Sequence, residues 1–531
     1  MNRHEQRLVR FLSKPQSYPH FASPVLHRET HVSHVFLAGR FAYKLKKPVR
    51  FPFLDASRLS LRRKFCEWEL TLNRRLAPDV YLGLIPVIEA DKGLRLDGHE
   101  RGRVVEWLVH MRRLPEDRML DQLVAKRAVS RCDMEQVADR LIAFFKRAER
   151  SPRISRYGRP QSVGQLLLGN LRECEPFVGH LLSSADSQRL QSAYRQALTL
   201  YEAVLCRRVD EGRIVDGHGD LRCENICLNR AGNPAIFDCV EFQPAFRCGD
   251  IANDLGFLIM DLEFRNRKDL ADILLERYRQ KVHDPTFERV LPIYECHRSL
   301  VRAKVRGLAW LQHPRTLKGR RMRELAYRHF QLAVEYAKRF SPPRLIVVGG
   351  LIGTGKSTLA KQLSADLAAI GLRTDEIRLR EFAKERRADQ GFADGLYAPH
   401  VSELVYHRLI QRAEAWVRKG HSVVCDGTFS KASAREVLRQ IAQRYGASFH
   451  FFECVVPRAL AIHRVARRYA QKADLSEARP THYDRLQAGF EPVRQLSSKD
   501  WTRLMTDRSA SAVHQTAIEA LRRSWIARDD G

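Results

Sequence analysis

The chain has 531 residues, 44% of them hydrophobic and 29% charged. This is the make-up of a folded soluble protein, too long for one hydrophobic core, and about two to four domains are expected. No apolar run approaches the ~18 residues needed to span a bilayer, and the polar N-terminus lacks a signal peptide's apolar segment, so the expected compartment is the cytoplasm. Lys and Arg number 92 against 62 Asp and Glu, a net charge of +30 that draws anions such as nucleotides, phosphorylated compounds or RNA. Much of the excess is Arg along helical stretches such as Arg315 to Arg328, read as solvated faces. With no nucleic-acid-binding motif and little aromatic interleaving, nucleic acid is a less favoured partner than a small molecule, and no membrane partner is expected.

Eleven cysteines, an odd number spread from Cys66 to Cys454, point to reduced thiols rather than a disulfide framework. Cys223, Cys227, Cys239 and Cys248 form an alternative zinc set, but their spacing is irregular where structural zinc favours short paired spacings.

In chain order, residues from about 25 to 90 read as short strands around one helix. Phe41-Ala-Tyr-Lys44 matches the strand that carries a kinase's phosphate-binding lysine. Alternation puts Ala42, Lys44 and Lys46 on one face, so either lysine fits. On the next helix, Arg62 to Leu76, Glu69 is the favoured partner because Leu72 and Leu76 share its side at helical spacing, and Glu67 is the rival. A glycine-rich loop is missing ahead of that strand, where Thr30-His-Val-Ser-His-Val-Phe36 stands instead.

Residues from about 130 to 340 read as mostly helical, apart from a strand-rich patch near 214 to 243. That patch holds His218-Gly-Asp-Leu-Arg-Cys-Glu-Asn225, which repeats the spacing of a protein-kinase catalytic loop with Gly219 in place of Arg. Phosphoryl transfer needs a carboxylate at the attacking hydroxyl and oxygen ligands for magnesium. Asp220 is the candidate base and Asn225 a metal ligand. A turn, Asn229 to Pro234, leads to a strand ending in Asp238, the second candidate metal carboxylate.

The prolines of Lys338-Arg-Phe-Ser-Pro-Pro-Arg344 mark a domain boundary, giving 1–340 (small lobe about 25–95, large lobe about 96–340) and 341–531. Beyond it, the strand Arg344 to Val348 runs into Gly350-Leu-Ile-Gly-Thr-Gly-Lys356-Ser357, a phosphate-cradling loop whose four fixed positions arise by chance about once in fifty chains of this length. A helix from Leu359 to Ile370 follows. The candidate nucleotide contacts are Gly350, Gly353, Thr354, Gly355, Lys356, Ser357 and Thr358, with Lys356 also catalytic and the Ser357 hydroxyl on magnesium. A strand ending at Asp426 offers a further carboxylate to that ion. Asp375, at the end of the next strand, lies near where an acceptor hydroxyl would approach, or else is a helix N-cap. Arg464, Arg467 and Arg468 lie on one basic helix that reads on its own as an exposed face, and Arg378 and Arg435 are candidate substrate contacts.

The first set of motifs resembles the aminoglycoside phosphotransferase family over roughly residues 25 to 335. Ile236-Phe-Asp238-Cys-Val-Glu241 carries one residue more between Asp and Glu than that family's pattern, and Gly249-Asp250-Ile-Ala-Asn-Asp254-Leu continues it. The resemblance implies that His218, Asp250 and Asp254 brace the loop. The second set resembles the zeta-toxin and polynucleotide-kinase-like group, which implies that Asp375 is the candidate general base and that Arg464, Arg467 and Arg468 form a cationic lid over the transferring phosphoryl group. Together they resemble the bifunctional aminoglycoside phosphotransferase/ATP-binding proteins. The expected fold is an α+β bilobal protein-kinase-like domain followed by an α/β P-loop NTPase domain with a doubly wound parallel sheet. The expected activity is transfer of the γ-phosphate of ATP, with Mg2+, to small-molecule hydroxyls. The alternatives are a nucleotide-sensing regulator with one inactive domain and a nucleic-acid 5′-hydroxyl kinase.

Overall fold

The computed structural model describes residues 3–51, 54–91, 93–96, 102–228, 233–382, 398–470 and 479–529. The chain divides into two compact units, residues 1–162 with 205–299, and residues 163–204 with 300–531.

In the first unit eight strands precede the helical region: β1 (Val25–Glu29), β2 (Ser33–Ala38), β3 (Phe41–Lys46), β4 (Arg50–Phe51), β5 (Leu54–Asp55), β6 (Tyr81–Ala90), β7 (Gly93–Leu96) and β8 (Arg103–Arg112). Six of them form an antiparallel sheet in the order β1-β2-β3-β8-β6-β7. The sheet runs past the lobe boundary expected near residue 95, because β8 lies at its centre between β3 and β6. The helix Leu59–Asn73 buries Arg62, Phe65, Cys66 and Glu69, and Arg62 donates to Glu106 of β8 at 2.7 Å. Three of its five buried residues, Arg62, Glu69 and Asn73, are polar, which explains why its apolar periodicity is weak in sequence.

The catalytic-loop region is built from two short antiparallel pairs. β9 (Ile214–Asp216) pairs with β12 (Cys248–Asp250), and β10 (Ile226–Leu228) with β11 (Pro234–Ile236). The turn expected at Asn229 to Pro234 has its residues 229–232 outside the described residues. The buried helix Ile251–Phe264 starts on Asp250, whose side chain accepts from the Ala252 amide.

The second unit holds a five-stranded parallel sheet of β13 (Arg344–Gly350), β14 (Ile370–Arg373), β15 (Val423–Asp426), β16 (Ser448–Val455) and β17 (Trp501–Met505), in the order β14-β15-β13-β16-β17. Central β13 is buried along its whole length, as its Leu-Ile-Val-Val run requires of a strand covered on both faces. The order reverses direction beside β13, so the switch point of a doubly wound sheet lies at its carboxyl end. The helix after the P-loop spans Lys356–Asp366, not Leu359 to Ile370. It stops before Ala368, which adopts φ +44°, and Ile370 opens β14.

The division between units differs from the boundary expected at the prolines. The helix Ser184–Leu200 belongs with the parallel sheet. Its Gln196 donates to Ser422 Oγ at 2.9 Å and accepts from Ser341 Oγ at 2.8 Å, while the Arg344 amide donates to Ser422 Oγ at 3.1 Å. These bonds satisfy polar groups at the amino ends of the strands, so the earlier helix completes the later sheet. Among the described residues no helix is long and apolar enough to cross a membrane.

Candidate functional site

Two candidate phosphate sites lie one in each unit. In the first, strand alternation delivers both candidate lysines to one helix carboxylate. Lys44 Nζ donates to Glu69 Oε1 at 2.8 Å and to Asp238 Oδ1 at 2.7 Å. Lys46 Nζ donates to Glu69 Oε2 at 2.6 Å and to Glu241. Glu67 instead meets Arg63 at 2.9 Å on the exposed face of the same helix. Burial opposes ionisation throughout the cluster, yet Lys44 and Lys46 hold the Glu69 carboxyl down to about 2. At Glu241 burial prevails, and its carboxyl is pushed up despite Lys46.

The catalytic loop is held by its own neighbours. Asp254 accepts from the amides of His218 at 2.6 Å and Gly219 at 2.8 Å. Gly219 has φ +83°, and a Cβ there would stand 2.7 Å from the Phe246 carbonyl oxygen, so only glycine fits. His218 Nε2 lies 3.1 Å from the Phe237 carbonyl and its Nδ1 accepts from the Asp220 amide at 3.3 Å, which fixes the proton on Nε2. Burial lowers the His218 pKa and keeps the ring neutral. Asp250 is bound by buried Arg208 at 2.6 and 2.7 Å, a bracing contact remote in kind from catalysis.

Asp220 accepts two bonds from Arg222, both 2.8 Å, and one of 2.9 Å from Asn225 Nδ2, which also reaches the Asp220 carbonyl at 2.9 Å. That leaves the carbonyl oxygen of the Asn225 amide for another partner. Asp238 adopts φ +63° and keeps its carboxylate 45% exposed. The Phe237 amide donates to the Asn225 carbonyl at 3.0 Å, so backbone pairing holds the two candidate metal ligands to adjacent strands. An amide oxygen and a half-exposed carboxylate are hard oxygen donors and fit magnesium, which binds through one or two carboxylates plus phosphates. The β1–β2 turn, where a glycine-rich loop is missing, is closed by Thr30, whose Oγ1 accepts from the Ser33 amide at 2.9 Å.

Arg222 and Glu241 were not singled out as site residues from sequence. The signal for Glu241 was its place in the D-C-V-E run, and Arg222 carried none beyond lying inside the loop. Cys223, Cys227, Cys239 and Cys248 are buried on different elements, with the Cys239 thiol taken up by Arg75 and the Gly217 carbonyl.

In the second unit, Gly350, Gly353 and Gly355 have φ +135°, +78° and +79°, the left-handed turns that let backbone N–H groups converge on an anion. Gly355 caps the helix Lys356–Asp366, whose second and third residues are Ser357 and Thr358. Thr354 Oγ1 donates to the Leu351 carbonyl at 2.7 Å, and Lys356 Nζ reaches the same carbonyl at 2.7 Å. Burial pulls the Lys356 pKa below the usual lysine range, against the opposing pull of Asp426 and Asp375 and with a push from Arg468. Asp426, at the tip of β15, is 5% exposed and its carboxyl is pushed up by burial, with Lys356, the Ser357 hydroxyl and Arg373 acting against this. Ser357 and Asp426 thus share a hydrogen bond where a magnesium ion would sit, and both are oxygen donors suited to it.

Asp375 lies in the first turn of the helix Thr374–Glu381, two residues past the N-cap Arg373, and accepts from Arg378 at 2.8 Å. It is therefore not the N-cap itself. Arg464 donates to the Thr506 carbonyl at 2.9 Å, and Thr506 Oγ1 to the Thr354 carbonyl at 2.8 Å. Arg464 and Arg468 are partly buried whereas Arg467 is exposed, so two of the three lid candidates turn inward. Arg435 is no substrate contact: it is fully buried and donates to the Phe429 and Glu491 carbonyls, each at 2.9 Å. Arg373, Thr506 and Tyr406, whose hydroxyl accepts from the Phe429 amide at 2.8 Å, complete this site and gave no motif in sequence.

The uncharacterized protein Rv2004c of Mycobacterium tuberculosis is 32% identical over 450 residues, covering 84% of this chain and 87% of its own length. A Mycobacterium bovis protein, Mb2027c, matches to the same extent. The chain belongs to the family of these mycobacterial proteins. Its residues 345–493 match the family model described as AAA domain. Among solved structures, a choline/ethanolamine kinase family protein from Mesorhizobium loti is 13% identical, covering 62% of this chain and 99% of its own, with a TM-score of 0.36. The Mycobacterium tuberculosis APS kinase CysC, solved with AMPPNP and APS, is 23% identical, covering 34% of this chain and 98% of its own, with a TM-score of 0.27.

Proposed function

We propose that the protein is an ATP-dependent phosphotransferase with two nucleotide sites, each moving the γ-phosphate of ATP to a small-molecule hydroxyl. The observation that carries the reading is Lys356: a desolvated ammonium among three left-handed glycines, bonded to one carbonyl and, among the described residues, to no carboxylate. Such a group is stabilised by an arriving polyphosphate.

At the first site Lys44 would bind the phosphates, and Asn225 with Asp238 would hold magnesium. Asp220 would orient the acceptor hydroxyl and take its proton. At the second, Lys356 and the loop amides would cradle the phosphates, Ser357 and Asp426 would hold the ion, and Asp375 would serve the acceptor. Arg464 and Arg468 would face the charge that develops on the transferred group. When bound, magnesium neutralises the triphosphate and polarises its terminal phosphoryl group.

The test is ATP consumption by the full-length protein across a panel of hydroxyl compounds. Asp220→Ala and Lys356→Ala should each remove a separate share of it, and loss of neither share defeats the proposal. One observation favours a second reading, in which the first unit senses nucleotide without turnover: both Asp220 oxygens are already engaged by Arg222. In that case the Lys356→Ala protein binds Mg-ATP and turns over nothing. The net charge of +30 favours a third, a kinase for nucleic-acid 5′-hydroxyl ends, which would label oligonucleotides with affinity falling steeply as salt rises.

A further inference from the structure

We infer that Lys46 is a positioning residue: a fixed counter-ion that keeps Glu69 and Glu241 neutralised so that Lys44 is free to leave them for a phosphate. The inference rests on reading the first site as a nucleotide site. A kinase-type strand needs one lysine for its helix glutamate. Here β3 supplies two, and they divide the two oxygens of Glu69 between them.

Their second partners differ. Lys44 reaches outward to Asp238, whose side chain is 45% exposed, while Lys46 reaches inward to Glu241, 10% exposed. The Glu69 side chain between them has no exposure at all. The cluster therefore grades from a solvent-facing ion pair to an enclosed one.

Charge accounting assigns the roles. Two ammonium groups meet three carboxylates: Glu69, Asp238 and Glu241. If Lys44 turned to a triphosphate in the absence of Lys46, Glu69 and Glu241 would be left as two enclosed carboxylates without a cation, an arrangement that is strongly unfavourable. With Lys46 in place, one buried cation still bridges them.

The bridge also fixes the segment that carries Asp238. Glu241 lies three residues past Asp238, and between them the Cys239 amide donates to Asn73 Oδ1 at 2.9 Å and the Val240 amide to the His218 carbonyl at 3.1 Å. Lys46 thus ties β3, the helix Leu59–Asn73 and the metal-ligand segment together through charge. Asp238 itself takes a left-handed backbone conformation, φ +63°. The other titratable groups facing the cluster are Cys66 on the helix and Tyr81 on β6, both raised by burial and neutral at ordinary pH. Glu106, behind Cys66, is occupied by Arg62.

The experiment uses the full-length Lys356→Ala protein, so that calorimetric Mg-ATP uptake reads the first site alone. Adding Lys46→Met should weaken uptake at least about tenfold and lower the thermal midpoint. Combining Lys46→Met with Glu241→Gln, which leaves Glu69 as the one carboxylate stranded when Lys44 turns away, should recover part of the lost affinity and part of the midpoint. In Lys46→Met alone, a Glu241 carboxyl raised in the folded state binds its proton more tightly there than when unfolded. Its midpoint should therefore fall progressively as pH rises above the unfolded carboxyl value of about 4.3, and the double variant should lose that slope. A double variant as impaired as Lys46→Met, with no difference in slope, would overturn the inference and leave Lys46 as packing alone. Should the Lys356→Ala protein take up no Mg-ATP, the nucleotide reading of the first site fails, and the midpoint and pH comparisons still decide whether Lys46 is the counter-ion.

Discussion

Replacing Asp254 with alanine tests how the first catalytic loop is held. The Asp254 carboxylate, 4% exposed, accepts from the His218 and Gly219 amides at 2.6 and 2.8 Å. Stranding a buried donor costs about 1–3 kcal/mol, so two cost about 2–6 kcal/mol. Asp254 is also the leading charge that restores Arg298, whose pKa burial lowers, so the loss falls toward the upper half of that range. At about 1.4 kcal/mol per tenfold, local opening of the loop rises from roughly thirtyfold to more than about 10⁴-fold. Hydrogen exchange of the full-length protein reads this directly in peptides spanning 214–225, with peptides spanning 344–360 as control. Asp254→Asn keeps one acceptor and should give about half the effect on a logarithmic scale. The ATP consumption assigned to Asp220 should fall in step. Wild-type exchange in the 214–225 peptides of Asp254→Ala would refute the assignment of Asp254 as the loop's anchor.

Glu69→Gln, which leaves two buried lysines sharing a neutral amide, should cost about 3–5 kcal/mol of stability, whereas Glu67→Gln breaks only an exposed pair with Arg63 worth about 0.3–0.5 kcal/mol; thermal midpoints separate them. Gly353→Ala places a Cβ 2.4 Å from the Ala461 carbonyl oxygen in a left-handed turn of φ +78° and should lower Mg-ATP affinity at the P-loop by at least about tenfold, of which the turn alone accounts for about 1–2 kcal/mol. Gly446→Ala, at φ +65° with open space around the added carbon, should show only the conformational cost and leave affinity unchanged. The Asp139 carboxyl is held down to about 2 by Arg277 and Lys281. Because its folded pKa is depressed, its contribution is present above the unfolded value and lost as pH falls from about 4 toward 2; with its side chain 35% exposed, Asp139→Asn should cost under about 1 kcal/mol at neutral pH and nothing near pH 2.

What the sequence made legible follows from how local each determinant is. The P-loop and the catalytic loop are read from consecutive residues, because their geometry is set by glycines and carboxylates a few positions apart. The choice between Glu67 and Glu69 needs only helical phase, and the buried face of Leu59–Asn73 resolves it for Glu69. Lys44 and Lys46 could not be ranked, since a period of two gives both the same face and both reach Glu69. The ranking question had a false premise: one carboxylate serves two ammonium groups once a third acid, Glu241, arrives from 195 residues away.

Long-range polar pairing also explains the other misreadings. Arg435 reads in sequence as a candidate substrate contact, because nothing in its neighbourhood announces that the Phe429 and Glu491 carbonyls will enclose it. The Pro-Pro break correctly marks where β13 begins. It cannot show that Gln196 caps that strand's neighbours through Ser422 and Ser341, which joins a helix from before the break to the sheet after it. Composition marks where the chain changes local structure; which segments share a core is decided by partners that no local window contains. On the proposed reading the chemistry lies in the short motifs, and its support in Asp254, Glu241, Arg208 and Thr506, whose partners come together only once the chain is folded.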